Sequence, residues 1–343
     1  MSRLNQSEDS LVQRIAQVFA GEHADGRSTL KRGMGDDAAL FAPRRGYETI
    51  LTCDWFLEGT HFLRDKHPAD AVGWKFLARA VSDIAAMGGQ PRCFLLSLAL
   101  PQTYTGQWLD EFLSGLRRAA RKFRCFLAGG DTTRRKEILI NVAVVGEVRE
   151  GQAILRWGAK PGDVIFVSGR LGEAELGLRL LRNTKAVANK RIAAVQKHLY
   201  PEPRLALGRW LADECLANAM MDLSDGLSSD LPRLCAASGV GASIEEAKLP
   251  IVPTAANKRT ERFDGLQLAL DGGDDYELLF AVPREKVARI PRSFRGLPLT
   301  RIGEITRGRA ILRKDKNNRK HELAAGGWDP FRKKNWSTSV IQT

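Results

Sequence analysis

A turn-rich segment near the middle of the chain constrains the fold more than any other feature. Arg149 to Gly162 carries glycine or proline near both of its ends, and the sequence on either side alternates strand-like with helix-like segments. The chain has 343 residues, which is more than a single hydrophobic core usually supports. The sequence therefore predicts an α/β (mixed α+β) fold with two α/β domains, residues 1–150 and residues 151–343.

Hydrophobic periodicity locates the elements of both domains. Leu11, Ile15, Val18 and Phe19 fall on one face of a short amphipathic helix. The first domain is then expected to hold strands over 48–53, 93–100 and 138–148 and helices over 68–87 and 107–123. In the second domain we expect strands over 163–169, 220–222, 276–282 and 299–305, and a surface loop or hairpin tip over 314–320.

The composition is that of an ordinary globular chain, with 43% hydrophobic and 27% charged residues. No apolar run reaches the length that spans a bilayer, and the N-terminus lacks the basic-then-apolar order of a secretory signal. The five cysteines are scattered and form no C-x-x-C pair, which argues against a disulfide framework or a structural zinc site. We therefore expect a cytoplasmic protein without a membrane partner.

The net charge of +13 raises the question of nucleic-acid binding. The last 43 residues carry eleven Lys and Arg against four Asp and Glu, so seven of the thirteen net charges lie there. Two further basic clusters, 117–124 and 134–136, are not interleaved with the aromatic residues that single-strand-binding surfaces use. We prefer a solvated basic face that attracts small anionic substrates, and we expect no nucleic-acid partner.

Aspartates recur beside glycines and at the ends of predicted strands or helices. The clusters are Gly35-Asp36-Asp37, Thr52-Cys53-Asp54, Ser82-Asp83, Gly129-Gly130-Asp131, Asp222-Leu223-Ser224-Asp225 and Gly273-Asp274-Asp275. Any one of them would suit a plain turn equally well. If they converge, cations are needed to neutralise the crowded carboxylates, and oxygen ligands without His or Cys indicate Mg²⁺. Because Mg²⁺ shares its coordination with phosphates, the set indicates a nucleotide-phosphate enzyme that uses several Mg²⁺ ions.

Other routes to nucleotide or acyl chemistry find no support in the sequence. There is no G-x-x-x-x-G-K-[ST] loop, no kinase H-R-D or D-F-G set and no G-x-S-x-G elbow. The five histidines show no metal-ligand spacing. No covalent nucleophile is therefore expected among the catalytic groups.

Seven motifs in order carry a family resemblance over residues 33–331. They read Gly-Met-Gly-Asp-Asp-Ala-Ala-Leu, Thr-Cys-Asp-Trp-Phe-Leu-Glu-Gly-Thr-His-Phe, Ser-Asp-Ile-Ala-Ala-Met-Gly, Gly-Gly-Asp-Thr-Thr-Arg, Gly-Ala-Lys-Pro-Gly-Asp, Asp-Leu-Ser-Asp-Gly-Leu and Gly-Gly-Asp-Asp-Tyr-Glu-Leu. In this order they resemble the thiamine-monophosphate kinase family, within the superfamily of aminoimidazole ribonucleotide synthetase and selenophosphate synthetase. Each motif alone is a weak signal, whereas the ordered set is a strong one.

The resemblance implies a homodimer in which N-terminal strands of both subunits form a shared barrel. It also implies transfer of the ATP γ-phosphoryl group to thiamine monophosphate, the last step of thiamine diphosphate biosynthesis. The implied Mg²⁺ ligands are Asp37, Thr52, Cys53, Asp54, Asp83, Asp131, Asp222 and Asp225. The implied ATP contacts are Gly130, Asp131, Arg156 and Ser224, and the implied contacts with thiamine monophosphate are His61, Asp274 and Trp328.

The sequence departs from the family pattern at Cys53, where the family often has Thr, and at Asp274, where Glu is expected. Two other functions stay open at this point. One is a different ATP-using enzyme of the same superfamily, and the other is a basic nucleic-acid-binding regulator with an inactive ATP site. Carboxylates at every implied metal position disfavour the regulator, because they would weaken binding to a polyanion.

Overall fold

A computed structural model of the chain describes residues 8–20, 29–34, 37–182, 192–254 and 263–331. The Gly35-Asp36 part of the first acidic cluster and the basic tail after Phe331 lie outside the described residues.

The first half of the chain forms a four-stranded sheet with helices on one face. Its elements are α1 (Glu8–Val18), β1 (Leu30–Arg32), β2 (Leu40–Phe41), β3 (Tyr47–Leu57), α2 (Ala69–Ala86), β4 (Gln90–Leu100), α3 (Gln107–Phe123), β5 (Phe126–Arg134) and β6 (Leu139–Arg149). The sheet has the order β3-β6-β4-β5, in which β4 and β5 are parallel and the other pairs antiparallel. β1 and β2 form a separate antiparallel pair.

Alternation along the strands determines which face of this sheet is covered. Leu96 and Leu98 of β4 point into a core shared with α2 and α3, whereas Leu95, which precedes Leu96, points to the opposite face and is 42% exposed. Leu51 and Trp55 of β3 lie on the same uncovered side and are 74% and 56% exposed. We call this uncovered apolar side, which includes Leu51, Trp55 and Leu95, the bare face.

The second half forms a larger sheet that is covered on both faces. Its elements are β7 (Val164–Ser168), α4 (Glu173–Arg182), α5 (Ala193–Leu199), α6 (Leu205–Asp213), β8 (Ala219–Leu223), α7 (Leu227–Ser238), β9 (Gly241–Glu245), α8 (Gly265–Asp271), β10 (Glu277–Val282), β11 (Ser293–Phe294), β12 (Leu297–Thr306), β13 (Ile311–Lys314) and β14 (Lys320–Glu322). The strand order is β14-β13-β9-β12-β7-β10-β8, with β11 paired to β12. In β10, Leu279 packs in the core that contains α7, and Phe280 packs in the core that contains α6. All six β10 residues are therefore buried.

Helix α2 packs against both halves of the molecule. Its Ala71 belongs to the apolar cluster of α4 and α5, and its Ala86 belongs to the cluster of α6. A Cβ atom on Gly208 of α6 would lie 2.0 Å from the Ala85 carbonyl oxygen. The absence of a side chain at residue 208 thus lets the two helices approach closely, and the last turn of α2 reaches the edge of the second sheet.

Most of the predicted elements are confirmed. The helix predicted over 107–123 coincides with α3, and the basic segment 314–320 connects the antiparallel strands β13 and β14. Asp131 lies within β5, which continues through Gly129 and Gly130 after a register shift in its pairing with β4. Within the described ranges no sheet closes into a barrel, and the four-stranded sheet is open. None of the described helices combines the length and apolarity required to cross a membrane.

Candidate active site

A cleft of about 500 Å³ lies where β3 and α2 face the loops of the second half. Seven carboxylates from both halves line it: Asp54, Asp83, Glu175, Asp222, Asp225, Asp271 and Asp274. Three arginines accompany them, namely Arg79, Arg179 and Arg182. Most of the acidic clusters of the sequence therefore converge.

Asp83 and Asp222 form the most strongly perturbed pair in the cleft. Asp83 lies in the last turns of α2, whereas Asp222 lies in β8 at the edge of the second sheet. Burial, followed by the Asp83 carboxylate, raises the pKa of Asp222 to about 8, and burial also raises the pKa of Asp83. The pair therefore disfavours two negative charges unless a cation lies beside it.

Hydroxyl groups support both carboxylates. The Thr52 hydroxyl donates a hydrogen bond to Asp83 Oδ2 (2.5 Å), and the Ser82 hydroxyl donates one to Asp222 Oδ2 (2.6 Å). The positive charge of Arg156 acts on both carboxylates and lowers their pKa values, although its side chain is largely exposed. Two carboxylates beside hydroxyl groups and a cationic side chain suit a hard divalent cation that also binds phosphates.

The same residues do not yet form a complete coordination shell. Across residues 8–20, 29–34, 37–182, 192–254 and 263–331, no three Asp, Glu, His or Cys side chains are grouped closely enough to hold a metal ion. Asp54 pairs instead with Arg79, whose Nε and Nη2 atoms lie 3.1 and 3.3 Å from its two carboxylate oxygens. Burial raises the pKa of Asp54, and Arg79 opposes that increase. The donor set fits Mg²⁺ only if substrate phosphates supply further oxygens.

The loop after β8 presents the next two residues of the predicted site. The Asp230 carboxylate accepts hydrogen bonds from the backbone N–H groups of Ser224 (3.1 Å) and Asp225 (3.0 Å). Burial, with the nearby Asp225, raises the pKa of Asp230 to about 6. Asp230 is fully buried, so it holds the backbone of this loop from the protein interior, while Ser224 and Asp225 line the cleft.

His61, Asp274 and Trp328 all line the same cleft, as expected for one binding site. The His61 Nδ1 atom accepts a hydrogen bond from the Leu57 N–H group (3.0 Å), and burial lowers the pKa of His61 to about 4. The ring is therefore neutral at neutral pH. Trp328 is half-buried, and its backbone N–H donates to the Asp225 carbonyl oxygen (2.9 Å).

Five of the predicted site residues do not line this cleft within one chain, namely Asp37, Thr52, Gly130, Asp131 and Arg156. Gly130 and Asp131 line a separate pocket of about 80 Å³ between α1 and the edge strand β5. One row of paired residues runs from Asp54 through β6 and β4 to Gly130, which places the two ends about 14 Å apart at the usual strand spacing. Asp37 is exposed and does not line the cleft. Cys53, by contrast, lines the cleft beside Asp54.

Sequence reasoning missed Lys75, Arg79 and Tyr276. Lys75 is 1% exposed and lies 2.8 Å from the Asp274 carboxylate, and Tyr276 donates to the same carboxylate (2.7 Å). A signal was present in α2, because Lys75, Arg79 and Asp83 recur every four residues and so share one helix face. A charged stripe on an otherwise apolar helix indicates a polar site under that face.

Comparison with known proteins agrees with this geometry. Residues 35–148 match the N-terminal domain of AIR synthase related proteins, and residues 160–314 match the C-terminal domain. Thiamine-monophosphate kinase from Escherichia coli K12 is 39% identical over 284 residues, which cover 82% of this chain and 86% of the relative.

Two solved structures resemble the chain along most of its length. The crystal structure of thiamine-monophosphate kinase from Stenotrophomonas maltophilia K279a is 36% identical with a TM-score of 0.77, and the match covers 89% of this chain and 96% of that one. A second structure, AaThiL complexed with AMPPCP and TMP, is 32% identical with a TM-score of 0.73, and it covers 96% and 99% respectively. Both matches include the two halves that form the cleft.

Proposed function

Because the chain belongs to the thiamine-monophosphate kinase family, we propose that it transfers the γ-phosphoryl group of ATP to thiamine monophosphate. The products are thiamine diphosphate and ADP, and the reaction is the last step of thiamine diphosphate biosynthesis. One observation carries this proposal: seven carboxylates from both halves, Asp274 among them, line the cleft that also holds His61 and Trp328. The related AaThiL complex with AMPPCP and TMP supports the same pair of substrates.

Mg²⁺ is the cation that the donor set suits. The proposed ligands are Asp83 and Asp222, with Thr52, Cys53, Asp54 and Asp225 beside them and with Asp37 and Asp131 contributed from outside the cleft. When bound, Mg²⁺ supplies positive charge that neutralises the phosphates and stabilises the charge of the transition state. The raised pKa values of Asp83 and Asp222 support this assignment, because a cation removes the repulsion between them.

The transfer itself requires positioning more than acid–base chemistry. An oxygen of the acceptor phosphate, already ionised at neutral pH, forms the new bond to the γ-phosphorus atom. The bond between that phosphorus and the β–γ bridging oxygen breaks, and ADP leaves with the electron pair. No proton has to be removed from the attacking oxygen, which agrees with a site that needs no general base.

The proposed contacts divide between the two substrates. Gly130, Asp131, Arg156 and Ser224 are assigned to ATP. His61, Asp274 and Trp328 are assigned to thiamine monophosphate, with Trp328 stacked on an aromatic ring of the substrate. His61 is neutral at neutral pH, and its Nδ1 accepts from the Leu57 N–H group, so its Nε2–H group can donate a hydrogen bond to the acceptor without adding charge.

A homodimer with a shared barrel is part of the same proposal. The bare face exposes Leu51, Trp55 and Leu95 on an open sheet, and such apolar surface usually marks an interface. Two copies packed through this face would bury it. A cytoplasmic location is supported by the five cysteines, all of which are free thiols.

The deciding experiment measures ADP release from ATP and Mg²⁺ with thiamine monophosphate, with thiamine, or without acceptor. Release only with the monophosphate, with thiamine diphosphate as the product, is the expected result. Release without acceptor preference would refute the substrate assignment and favour another ATP-using enzyme of the superfamily. Folded protein that releases no ADP in any mixture would favour the nucleic-acid-binding alternative.

Two substitutions test the carboxylates in the same assay. Asp83→Asn and Asp131→Asn are expected to abolish most turnover while the circular dichroism spectrum stays that of the wild type. Asp213→Asn is the matched control, because Asp213 only forms an exposed i,i+4 pair with Arg209. Near-normal kcat of Asp83→Asn at saturating Mg²⁺ would contradict the metal role.

A further inference from the structure

A buried chain of polar side chains connects Asp274 to the first half of the molecule. Lys75 Nζ lies 2.8 Å from Asp274 Oδ2 and 3.2 Å from His198 Nδ1. The Nε2 atoms of His198 and His67 are 3.0 Å apart, and His67 Nδ1 lies 3.1 Å from the Leu63 carbonyl oxygen. Lys75, His198 and His67 are at most 4% exposed, so water has little access to the chain.

The hydrogen bonds of this chain have a defined direction if Lys75 is an ammonium that donates to the nearer ring nitrogen of His198, which is Nδ1 at 3.2 Å against 3.4 Å for Nε2. An ammonium has donors and no acceptor, so His198 Nδ1 must accept from it. His198 then carries its proton on Nε2 and donates to His67 Nε2. His67 Nδ1 lies 3.1 Å from both the nitrogen and the carbonyl oxygen of Leu63, and in this direction it carries the proton and donates to the oxygen. Both imidazoles are neutral in this arrangement, which agrees with the lowered pKa values that burial gives them.

Asp274 is held by this chain in an unusual backbone conformation. Its φ angle is 67° and that of Tyr276 is 50°, both in the left-handed region that side chains seldom adopt. Lys75 binds one carboxylate oxygen and the Tyr276 hydroxyl binds the other. Gly273 beside it packs against the Ser224 carbonyl oxygen, where a Cβ atom would come within 2.7 Å. A loop with this strain keeps its shape only if the surrounding contacts fix it.

We propose that Lys75 is a positioning residue that, anchored through His198 and His67 to Leu63, holds the Asp274 carboxylate ionised and aimed at the acceptor. This inference rests on the proposed function for the identity of the acceptor. His198 Nδ1 lies 3.9 Å from Asp274 Oδ2, beyond hydrogen-bond distance, and Lys75 acts on the acceptor through Asp274. The chain also crosses between the halves, because Leu63, His67 and Lys75 belong to the first half and His198 and Asp274 to the second.

Electrostatics agree with an ionised Asp274. Burial alone would raise its pKa, but Lys75 and Arg79 lower it below the ordinary value. Burial also lowers the pKa of Lys75, which Asp274 opposes. The charged and titratable groups facing Asp274 are Lys75 and Arg79 from α2, His198 from α5, Asp54 from β3, His61 and His67 from the segment between β3 and α2, and Tyr276 from its own loop. Removing the Lys75 charge therefore raises the pKa of Asp274.

The test compares Lys75→Met with Lys122→Met, a control that removes a lysine from the exposed face of α3. Lys75→Met is expected to raise the KM for thiamine monophosphate about tenfold or more and to leave the KM for ATP unchanged. Because Asp274 then protonates more readily, the acceptor KM of this variant should also rise as the pH falls from about 8 to about 6. The wild type and Lys122→Met should show a smaller rise over the same range, which comes from the ionisation of the acceptor phosphate itself. Equal increases in both KM values, or a pH profile parallel to the wild type, would overturn the proposal.

A double-mutant cycle and a spectroscopic measurement complete the test. Once Asp274→Asn is present, Lys75→Met should raise the acceptor KM by no more than about twofold further. Nitrogen-15 NMR of the wild-type protein should show His198 protonated on Nε2 and His67 protonated on Nδ1. The opposite tautomers would contradict the proposed hydrogen-bond chain, and this test does not depend on whether Lys75→Met folds. This readout needs no substrate. A wild type with these tautomers but no activity on thiamine monophosphate would refute the proposed function and leave the hydrogen-bond chain standing.

Discussion

Replacing Glu277 with glutamine should destabilise the protein more than any surface change, for a reason visible in its contacts. Glu277 begins β10, directly after the Asp274 loop, and is 1% exposed. Its carboxylate accepts hydrogen bonds from Lys197 Nζ (2.6 Å), Arg204 Nε (2.7 Å) and the Ser168 hydroxyl (2.6 Å). Glutamine keeps the size of the side chain but leaves two partly buried cations without a counter-charge.

The size of the effect follows from the pKa of Glu277. Burial alone would raise it, but Lys197 and Arg204 lower it from 4.5 to about 2. Such a change corresponds to about 3 kcal/mol of folding free energy at neutral pH. Since the folded-state pKa is the lower one, this stabilisation is present above the unfolded value of 4.5 and is lost as the pH falls through 2. The uncompensated cations bring the expected loss in Glu277→Gln to about 3–5 kcal/mol.

Urea denaturation at neutral pH and at about pH 4 measures this loss directly. The wild type should exceed Glu277→Gln in the free energy of unfolding by the amount above at neutral pH, and the gap should narrow by roughly 1 kcal/mol at the lower pH. Asp213→Asn removes the exposed Asp213–Arg209 pair and should cost less than about 0.5 kcal/mol. A Glu277→Gln protein as stable as this control would refute the reasoning from burial and charge.

Two further predictions address the metal pair and the bare face. Without Mg²⁺, Asp222→Asn should raise the free energy of unfolding at neutral pH, and it should abolish ADP release in the assay with Mg²⁺. The reason is that the raised pKa of Asp222 makes the stability of the wild type fall as the pH rises from about 4 to about 8. If urea denaturation in the presence of a chelator shows that Asp222→Asn is less stable than the wild type, the repulsion with Asp83 is contradicted. Trp55→Asp on the bare face should convert a dimer into a monomer in sedimentation velocity, whereas Trp157→Asp, at an exposed position away from the four-stranded sheet, should leave the dimer intact; a wild type that sediments as a monomer would remove the basis for the shared barrel.

The regular elements could be predicted because their apolar spacing is local information. α3 shows this most clearly, since Leu109, Phe112 and Leu116 recur at helical spacing and all three are fully buried against the sheet. The convergence of the aspartates was also predictable as a set, because glycine and aspartate mark the ends of elements where α/β folds build sites. These inferences require no knowledge of which strand pairs with which.

The remainder depended on contacts between distant parts of the chain. Lys75 reads as an ordinary exposed helical lysine until its partner Asp274, 199 residues later, comes within 2.8 Å. Gly129, Gly130 and Asp131 belong to an edge strand through pairing with β4, and this pairing carries Asp131 away from the cleft. Pairing over long sequence separations decides such positions, and intrinsic preferences are too weak to reveal it.

Helix α2 gives the cleft a fixed length. Lys75 faces the Asp274 end and Asp83 faces the Asp222 end, and eight residues of helix separate them by about 12 Å. Packing against both halves prevents this spacing from stretching or shrinking. A substrate that contacts both ends must have its contacting groups about 12 Å apart, so the fixed helix restricts the length of the substrates that fit. Inserting or deleting one residue between these positions would rotate Lys75 and Asp83 about 100° relative to each other. The two side chains would then no longer face the same cleft, although both were retained.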